Sequence, residues 1–314
     1  MLDDATVEEL REKNYNASLA DFHLAHEALA IVRVKPDFPI PDYKAGQYTT
    51  LGLGYWESRH SDAVKEEEPD EKRVRRLVRR AYSISCPVAD GAGEIVPPEN
   101  IDYVEFYIVM VIGKEGEPAP ALTPRLFLKK TGDRLYMGTK FTGEYTLEGM
   151  EDIRGREDSL AVFAGTGTGE GPHNRMIWEL LRTGHRGMIA SINVARYKRD
   201  FAYEPIYRKL EAMHPNLSYH SLPTREPETI NNKMYIQDYI ESGKLEERLQ
   251  REMRPEDTHI FLCGNPAMIG IPKIRDGGKN WPEGKKGVIQ LMEERGFRMD
   301  IGRAKGNIHY EKYW

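Results

Sequence analysis

A two-domain chain, an antiparallel β-barrel followed by a doubly wound α/β domain, is what the sequence predicts. Three observations predict it. The first half carries short segments rich in β-branched and aromatic residues, separated by Gly and Pro. The second half alternates apolar strands with helix-length amphipathic segments. The length of 314 residues suits two ordinary domains better than one.

Within the first half, Leu24, Ala28, Ala30, Val32 and Val34 recur at mostly even spacing and read as one strand, which "PDFPIPDYKAG" ends. Residues 47–55, 79–88, 103–113 and 134–147 repeat the pattern, and "LTPRLFLKK" reads as one short helix. Several short strands without long helices predict a barrel. Residues 56–79 interrupt it with an acidic block followed by a basic one, too charged for a core. This segment reads as a solvated, partly helical insertion, and Lys72, Arg73, Arg75, Arg76 and Arg79 offer an acidic partner a docking patch.

The pattern changes near Asp158. "SLAVFA" reads as a buried strand, "GTGTGEG" as a glycine-rich loop, and "PHNRMIWELLRT" as a helix with Pro172 in its first turn. Further strand and helix segments follow to the C-terminus, which predicts about five parallel strands with ligands at their C-terminal ends. The expected division is residues 1–155 and 156–314. Gly165, Gly167, Gly169 and Gly171 bring backbone N–H groups to a helix start, where a pyrophosphate is stabilised, although the spacing misses GxGxxG. Where a site for NAD would place a carboxylate near the second strand end, this chain has Arg196, and the third strand ends at Thr224-Arg225. Those arginines, with Lys233 and Tyr235, fit a 2′-phosphate and a stacked adenine and favour NADP over NAD.

Composition narrows the classes further. The formal charge of -5 argues against general nucleic-acid binding. Two cysteines, Cys86 and Cys263, make neither a disulfide framework nor an iron–sulfur or structural zinc set. The N-terminus lacks the basic flank and apolar run of a signal peptide, and no stretch matches a membrane span, so a cytoplasmic protein is expected.

One extended segment, Arg80-Ala81-Tyr82-Ser83, sets a cation and an aromatic ring on one strand face and a hydroxyl on the other. These groups suit a pyrophosphate, an isoalloxazine and a ring nitrogen. Together with the Gly-Thr loop, the Arg-Tyr strand end, TRE followed by KMYIQ, LCGNPAM and the terminal HYEKYW, it resembles the ferredoxin–NADP⁺ reductase family. The terminal HYEKYW is similar to the aromatic ending of the bacterial ferredoxin (flavodoxin) reductases. The resemblance covers about residues 22–314, outside the insertion.

It implies that Arg80, Tyr82 and Ser83 hold FAD at its pyrophosphate, ring and N5. Ala121 and Leu122 would offer backbone amides, and Thr123 a hydroxyl, to the FAD phosphates; Pro120 stands where the family usually has glycine. Thr166, Gly167, Thr168 and Gly264 would hold the NADP pyrophosphate and nicotinamide, and Arg196, Thr224, Arg225, Lys233 and Tyr235 its 2′-phosphate and adenine. Cys263 and Glu311 would lie at the nicotinamide, Tyr313 would cover the flavin, and Trp314 would extend over the FAD adenine. Glu170 and His173 depart from the residue types expected at their positions. The implied reaction is hydride transfer between NADPH C4 and flavin N5, with one-electron exchange with ferredoxin or flavodoxin. A reductase of free flavin, an iron chelate or an oxygenase component shares these parts, and a regulatory electron-transfer subunit is the other class.

Overall fold

The structure, a computed structural model, describes residues 2–89, 95, 101–275 and 278–313. Contacts divide the chain into two units, one of residues 1–87 and 96–143, the other of residues 88–95 and 144–314.

In the first unit, β1 (Ala17–His26), β2 (Leu29–Pro36), β3 (Tyr48–Gly54), β4 (Leu77–Ser83), β5 (Val104–Val109) and β6 (Arg134–Met137) form an antiparallel sheet. Their order is β4-β3-β6-β1-β2-β5. An antiparallel bridge between Ile84 and Phe106, and Ser85 N–H donating to Glu105 O at 2.8 Å, join the two end strands and close the barrel. Closure removes the unpaired edges that an open sheet would expose. Leu19, Val32, Val34, Leu51, Leu53, Phe106 and Leu135 fill the interior.

The single strand expected across residues 22–35 is a hairpin. Leu24 faces Ala30 and His26 faces Leu29. The turn at Glu27-Ala28 has no Gly, Pro or Asn; instead His26 Nδ1 accepts from Ala28 N–H at 3.2 Å. Even apolar spacing continues through this turn, so periodicity alone conceals it.

The N-terminal helix α1 (Asp4–Asn14) is tied to the base of the insertion. Buried Glu57 accepts from Arg11 at 2.8 and 2.9 Å, from Tyr15 Oη at 2.9 Å, from Trp56 Nε1 at 3.2 Å and from Lys129 at 2.5 Å. Burial opposes its ionisation, but the Arg11 and Lys129 hydrogen bonds outweigh it and hold the carboxyl at about 2. The insertion contains one short helix, α2 (Glu71–Val74), capped by the Asp70 side chain, and α3 (Thr123–Leu126) lies in "LTPRLFLKK" as expected.

The second unit holds β7 (Leu160–Thr166), β8 (Met188–Ala195), β9 (Leu217–Pro223), β10 (Thr258–Gly264) and β13 (Ile308–Lys312), all parallel, in the order β13-β10-β7-β8-β9. Sheets covered on both faces need apolar residues at successive positions, which is why every residue of β10 is buried. Leu160, Val162, Ile260 and Leu262 enter the core shared with α6 (Ile236–Glu241), α7 (Lys244–Leu249) and α9 (Val288–Glu293). α6 and α7 are separated by Gly243, whose φ of +75° ends the helix at little cost. A separate short antiparallel pair, β11 (Lys273–Arg275) and β12 (Gly278–Asn280), lies between β10 and α9 in sequence. Among the described residues no helix is long and apolar enough to cross a membrane.

Candidate functional site

Two clusters gather the predicted residues, one in each unit. In the first, β4 presents Arg80 to solvent and leaves Tyr82 and Ser83 half-buried at its end. The Tyr82 ring packs on the barrel core and lies edge-on to Phe106, with centroids 6.5 Å apart. Burial, opposed only by Arg80, raises its phenol above the ordinary value, so the hydroxyl stays protonated. Arg80 Nη1 donates to Arg79 O at 2.8 Å, and no carboxylate among the described residues pairs with it. Its neighbour Arg79 stacks on Tyr136, 4.0 Å from the ring centre.

The loop before α3 belongs to the same unit. Ala121 and Leu122 are buried, and their backbone N–H groups find no acceptor among the described residues. Leu122 caps α3, and amides at a helix start have no intrahelical acceptor, so these two N–H groups are available to an anion. The Thr123 hydroxyl accepts from Val111 N–H at 3.0 Å and donates to Val111 O at 3.4 Å. Pro120 fits where glycine was expected because Gly113, at φ +80°, faces it; a Cβ there would stand 2.8 Å from Pro120 Cδ. The orphaned amides, the unpaired Arg80 and the part-covered Tyr82 ring fit FAD, which needs an anion cradle and an aromatic platform.

In the second cluster, β7 ends at Thr166 and a 3-10 turn of Gly167-Thr168-Gly169 leads into α4 (Glu170–Arg182). Gly169 packs against the end of β10, where a Cβ would lie 2.3 Å from Cys263 O. Gly264, at φ +120°, gives the same close approach to Thr166, whose Oγ1 accepts from Asn265 N–H at 2.7 Å. Cys263 is fully buried and stands level with Glu311 in the β10–β13 register. Tyr313 N–H donates to Gly264 O at 3.1 Å, and its hydroxyl donates to Thr168 O at 3.4 Å. Thr166, Thr168, Cys263, Gly264, Glu311 and Tyr313 are thus brought together at one end of the sheet. Trp314 lies outside the described residues.

The ends of β8 and β9 carry Arg196 and Arg225, and Lys233 follows in the segment before α6. Arg225 N–H donates to Arg196 O at 2.7 Å, and Thr224 donates to Ala195 O through both N–H and hydroxyl, at 3.0 and 2.9 Å. The buried Thr224 therefore ties the strand ends, while Arg196, Arg225, Lys233 and Tyr235 are exposed. Glu226 and Glu228 are engaged by Lys198, and Asp200 accepts from the Arg196 backbone N–H at 3.2 Å, while no carboxylate among the described residues pairs with the Arg196 or Arg225 guanidinium or the Lys233 ammonium. Two guanidinium groups at adjacent strand ends, neither paired with a carboxylate, fit a 2′-phosphate, while the Tyr235 ring is met by Lys285, 5.6 Å from its centre.

Glu170 does not face these cations. Its carboxyl is buried and accepts from Tyr219 Oη at 2.8 Å and Asn193 Nδ2 at 3.3 Å. Burial raises it to about 8, against the Tyr219 hydrogen bond, so it is uncharged at neutral pH. His173 is likewise buried, held neutral by burial at about 3, with Nε2 2.7 Å from Tyr145 Oη. Sequence reasoning passed over three further groupings. His259 Nδ1 is 2.9 Å from His309 Nε2, with Asp152 and Asp300 at the two outer ends of the pair, 3.2 and 3.0 Å away. Tyr145 joins the His173 side of the same unit, and Arg59, Glu66 and Arg125 meet in the first. All join residues far apart in the chain, and no local pattern signals them.

Comparison with known proteins agrees with this arrangement. Residues 163–273 match the model of the oxidoreductase NAD-binding domain family. The flavodoxin/ferredoxin–NADP reductase of Shigella flexneri is 30% identical over 232 residues, covering 74% of this chain and 77% of that protein. That of Buchnera aphidicola subsp. Schizaphis graminum is 26% identical over 278 residues, covering 88% and 90%. Among solved structures, a ferredoxin NADP⁺ reductase from Neisseria gonorrhoeae with bound FAD and NADP shares the fold, with a TM-score of 0.66 at 18% identity over 95% of this chain and 97% of that one.

Proposed function

This chain belongs to the flavodoxin/ferredoxin–NADP reductase family, and from that premise we propose that it exchanges electrons between NADP(H) and a one-electron protein carrier through bound FAD. The observation that carries the reading is the pair of buried, unpartnered amides at Ala121 and Leu122, an anion cradle in the same barrel as Arg80 and Tyr82. FAD supplies the conversion between two-electron chemistry at the nicotinamide and one-electron chemistry at the carrier.

The chain's own residues bind and orient. Arg80 and the Ala121 and Leu122 amides take the FAD phosphates, joined by the Thr123 hydroxyl once it turns from Val111 O, Tyr82 offers its ring to the isoalloxazine, and Ser83 lies at the strand end beside it. Arg196, Arg225 and Lys233 take the 2′-phosphate of NADP(H), Tyr235 stacks on its adenine, and Thr224 fixes the two strand ends that present them. Thr166, Gly167, Thr168 and Gly264 bring backbone close to the pyrophosphate and nicotinamide. Cys263, Glu311 and Tyr313 form the nicotinamide end, and the neutral Glu170 adds no negative charge beneath the loop that meets phosphate.

The carrier is an acidic ferredoxin or flavodoxin. Of the five cations of the expected docking patch, Arg73 is bound to Tyr55 and Arg79 to Tyr136, which leaves Lys72, Arg75 and Arg76 exposed with no side-chain ion pair among the described residues. Raising ionic strength should slow carrier reduction and leave dye reduction unchanged. The two cysteines are buried thiols in no disulfide, which suits a reducing compartment such as the cytoplasm.

The deciding experiment is an absorbance spectrum of the purified protein, followed by anaerobic NADPH and then NADH. Flavin bands bleached much faster by NADPH are expected. A colourless protein that takes up no added FAD would overturn the proposal.

A further inference from the structure

Glu66, in the charged insertion, has a side chain only 8% exposed, and three guanidinium groups surround it. Arg125 donates to it at 2.7 Å, Arg73 lies 3.6 Å away and Arg59 3.8 Å away. Arg59 and Arg125 also grip the loop before α3. Arg59 Nη2 donates to Pro120 O at 2.8 Å and to Val64 O at 3.1 Å. Arg125 Nη1 donates to Ala121 O at 2.6 Å, and its other nitrogen reaches Tyr55 O at 3.2 Å.

A trans peptide sets the C=O of one residue and the N–H of the next on opposite sides of its plane. With Pro120 O turned toward Arg59, the Ala121 N–H points away from that guanidinium. With Ala121 O turned toward Arg125, the Leu122 N–H points away from it in the same manner. These are the two buried amides with no acceptor among the described residues. A carbonyl that accepts from a cation also polarises its own peptide, which strengthens the N–H as a donor. Glu66 is needed because burial and the neighbouring Arg125 both disfavour the charge on Arg59, while Glu66 favours it.

We propose that the insertion is a positioning device: Arg59 and Glu66, acting with Arg125, set the peptide planes of residues 120–122 so that their N–H groups meet the FAD phosphates. This rests on the assignment of that loop to FAD. It gives the insertion a role within its own unit, and it explains how a loop holding Pro120 in place of glycine keeps its donors aimed. Pro120 has no N–H and a fixed φ, so the guanidinium on its carbonyl is what orients the following plane.

The test uses the full chain loaded with FAD, and reads FAD dissociation and the affinities of the apoprotein for FAD and for riboflavin. Arg59→Met should weaken FAD about tenfold and leave riboflavin, which has no phosphate, unchanged; Arg59→Lys, which restores one donor, should recover most of the loss. Glu66→Gln should also loosen FAD severalfold. If Glu66 acted only through its charge, removing it near phosphates would tighten FAD, and that result would overturn the proposal. Equal losses for FAD and riboflavin, or FAD retention equal to wild type in all three variants, would do the same. If Arg59→Met fails to fold, Arg59→Lys and Glu66→Gln decide by the same comparison. A wild-type chain that never takes up FAD would instead remove the FAD reading itself.

Discussion

Cys263 and Glu311 occupy one level of the parallel sheet, the thiol fully buried at the end of β10 and the carboxylate beside it on β13. Burial first, and then the Glu311 charge, raise the thiol well above its ordinary range, while a hydrogen bond involving Tyr313 opposes them. Cys263 is therefore a neutral, compact group at the end of β10 and no thiolate nucleophile. Iodoacetamide at pH 8 should leave both cysteines of the folded protein unmodified and alkylate both in denaturant. Rapid labelling of Cys263 in the folded chain would contradict this.

The exposed Arg225 has no carboxylate partner to satisfy it without ligand. Its replacement by Ala should raise KM for NADPH about tenfold or more and barely change KM for NADH, since a charge-assisted contact to phosphate is worth about 1.5–3 kcal/mol. Steady-state kinetics with the two coenzymes measures the ratio, and equal effects would remove the 2′-phosphate assignment.

Glu57 links α1, the insertion base and Lys129 through one buried carboxylate. Its folded value of about 2 lies below the ordinary value of 4.5, so its contribution is complete above pH 4.5 and lost as pH falls toward 2. The difference corresponds to about 3 kcal/mol. Glu57→Gln should lower stability by that order at pH 7, and its denaturation curves should fall less steeply than wild type between pH 4.5 and 2.5. A variant as stable as wild type at pH 7 would show that the cluster contributes little.

Glu170 behaves in the opposite sense. Its folded value of about 8 exceeds the ordinary 4.5, so the stability it leaves intact below pH 4.5 declines as pH rises to 8. Gln at this position keeps an oxygen for Tyr219 and never ionises. Thermal unfolding should show Glu170→Gln near wild type at pH 5 and more stable than wild type at pH 8. No gain at pH 8 would mean the wild-type carboxyl ionises there without penalty.

Much of this molecule is legible in its residue order. Strand periodicity, glycine placement and the RAYS and LCGNPAM segments depend on neighbours two to ten positions apart, and they mark the barrel, the parallel sheet and most candidate ligand contacts. Local pattern fails where a local signal is missing. The turn between His26 and Leu29 uses a histidine side chain in place of glycine, and the residue order alone shows one strand where there are two.

By itself the sequence determined the two fold types, the cofactor preference and the residues at strand ends, because backbone conformation and alternation are local properties. Tertiary structure alone decided the charges and the aim of buried groups. Glu170 reads as a misplaced negative charge until Tyr219, 49 positions away, and its burial make it neutral. Arg59 and Glu66 read as parts of a solvated run until Pro120 O and Arg125, 61 and 59 positions away, take them up. Desolvation and hydrogen bonding depend on which distant groups surround a side chain, and only the folded chain supplies those neighbours.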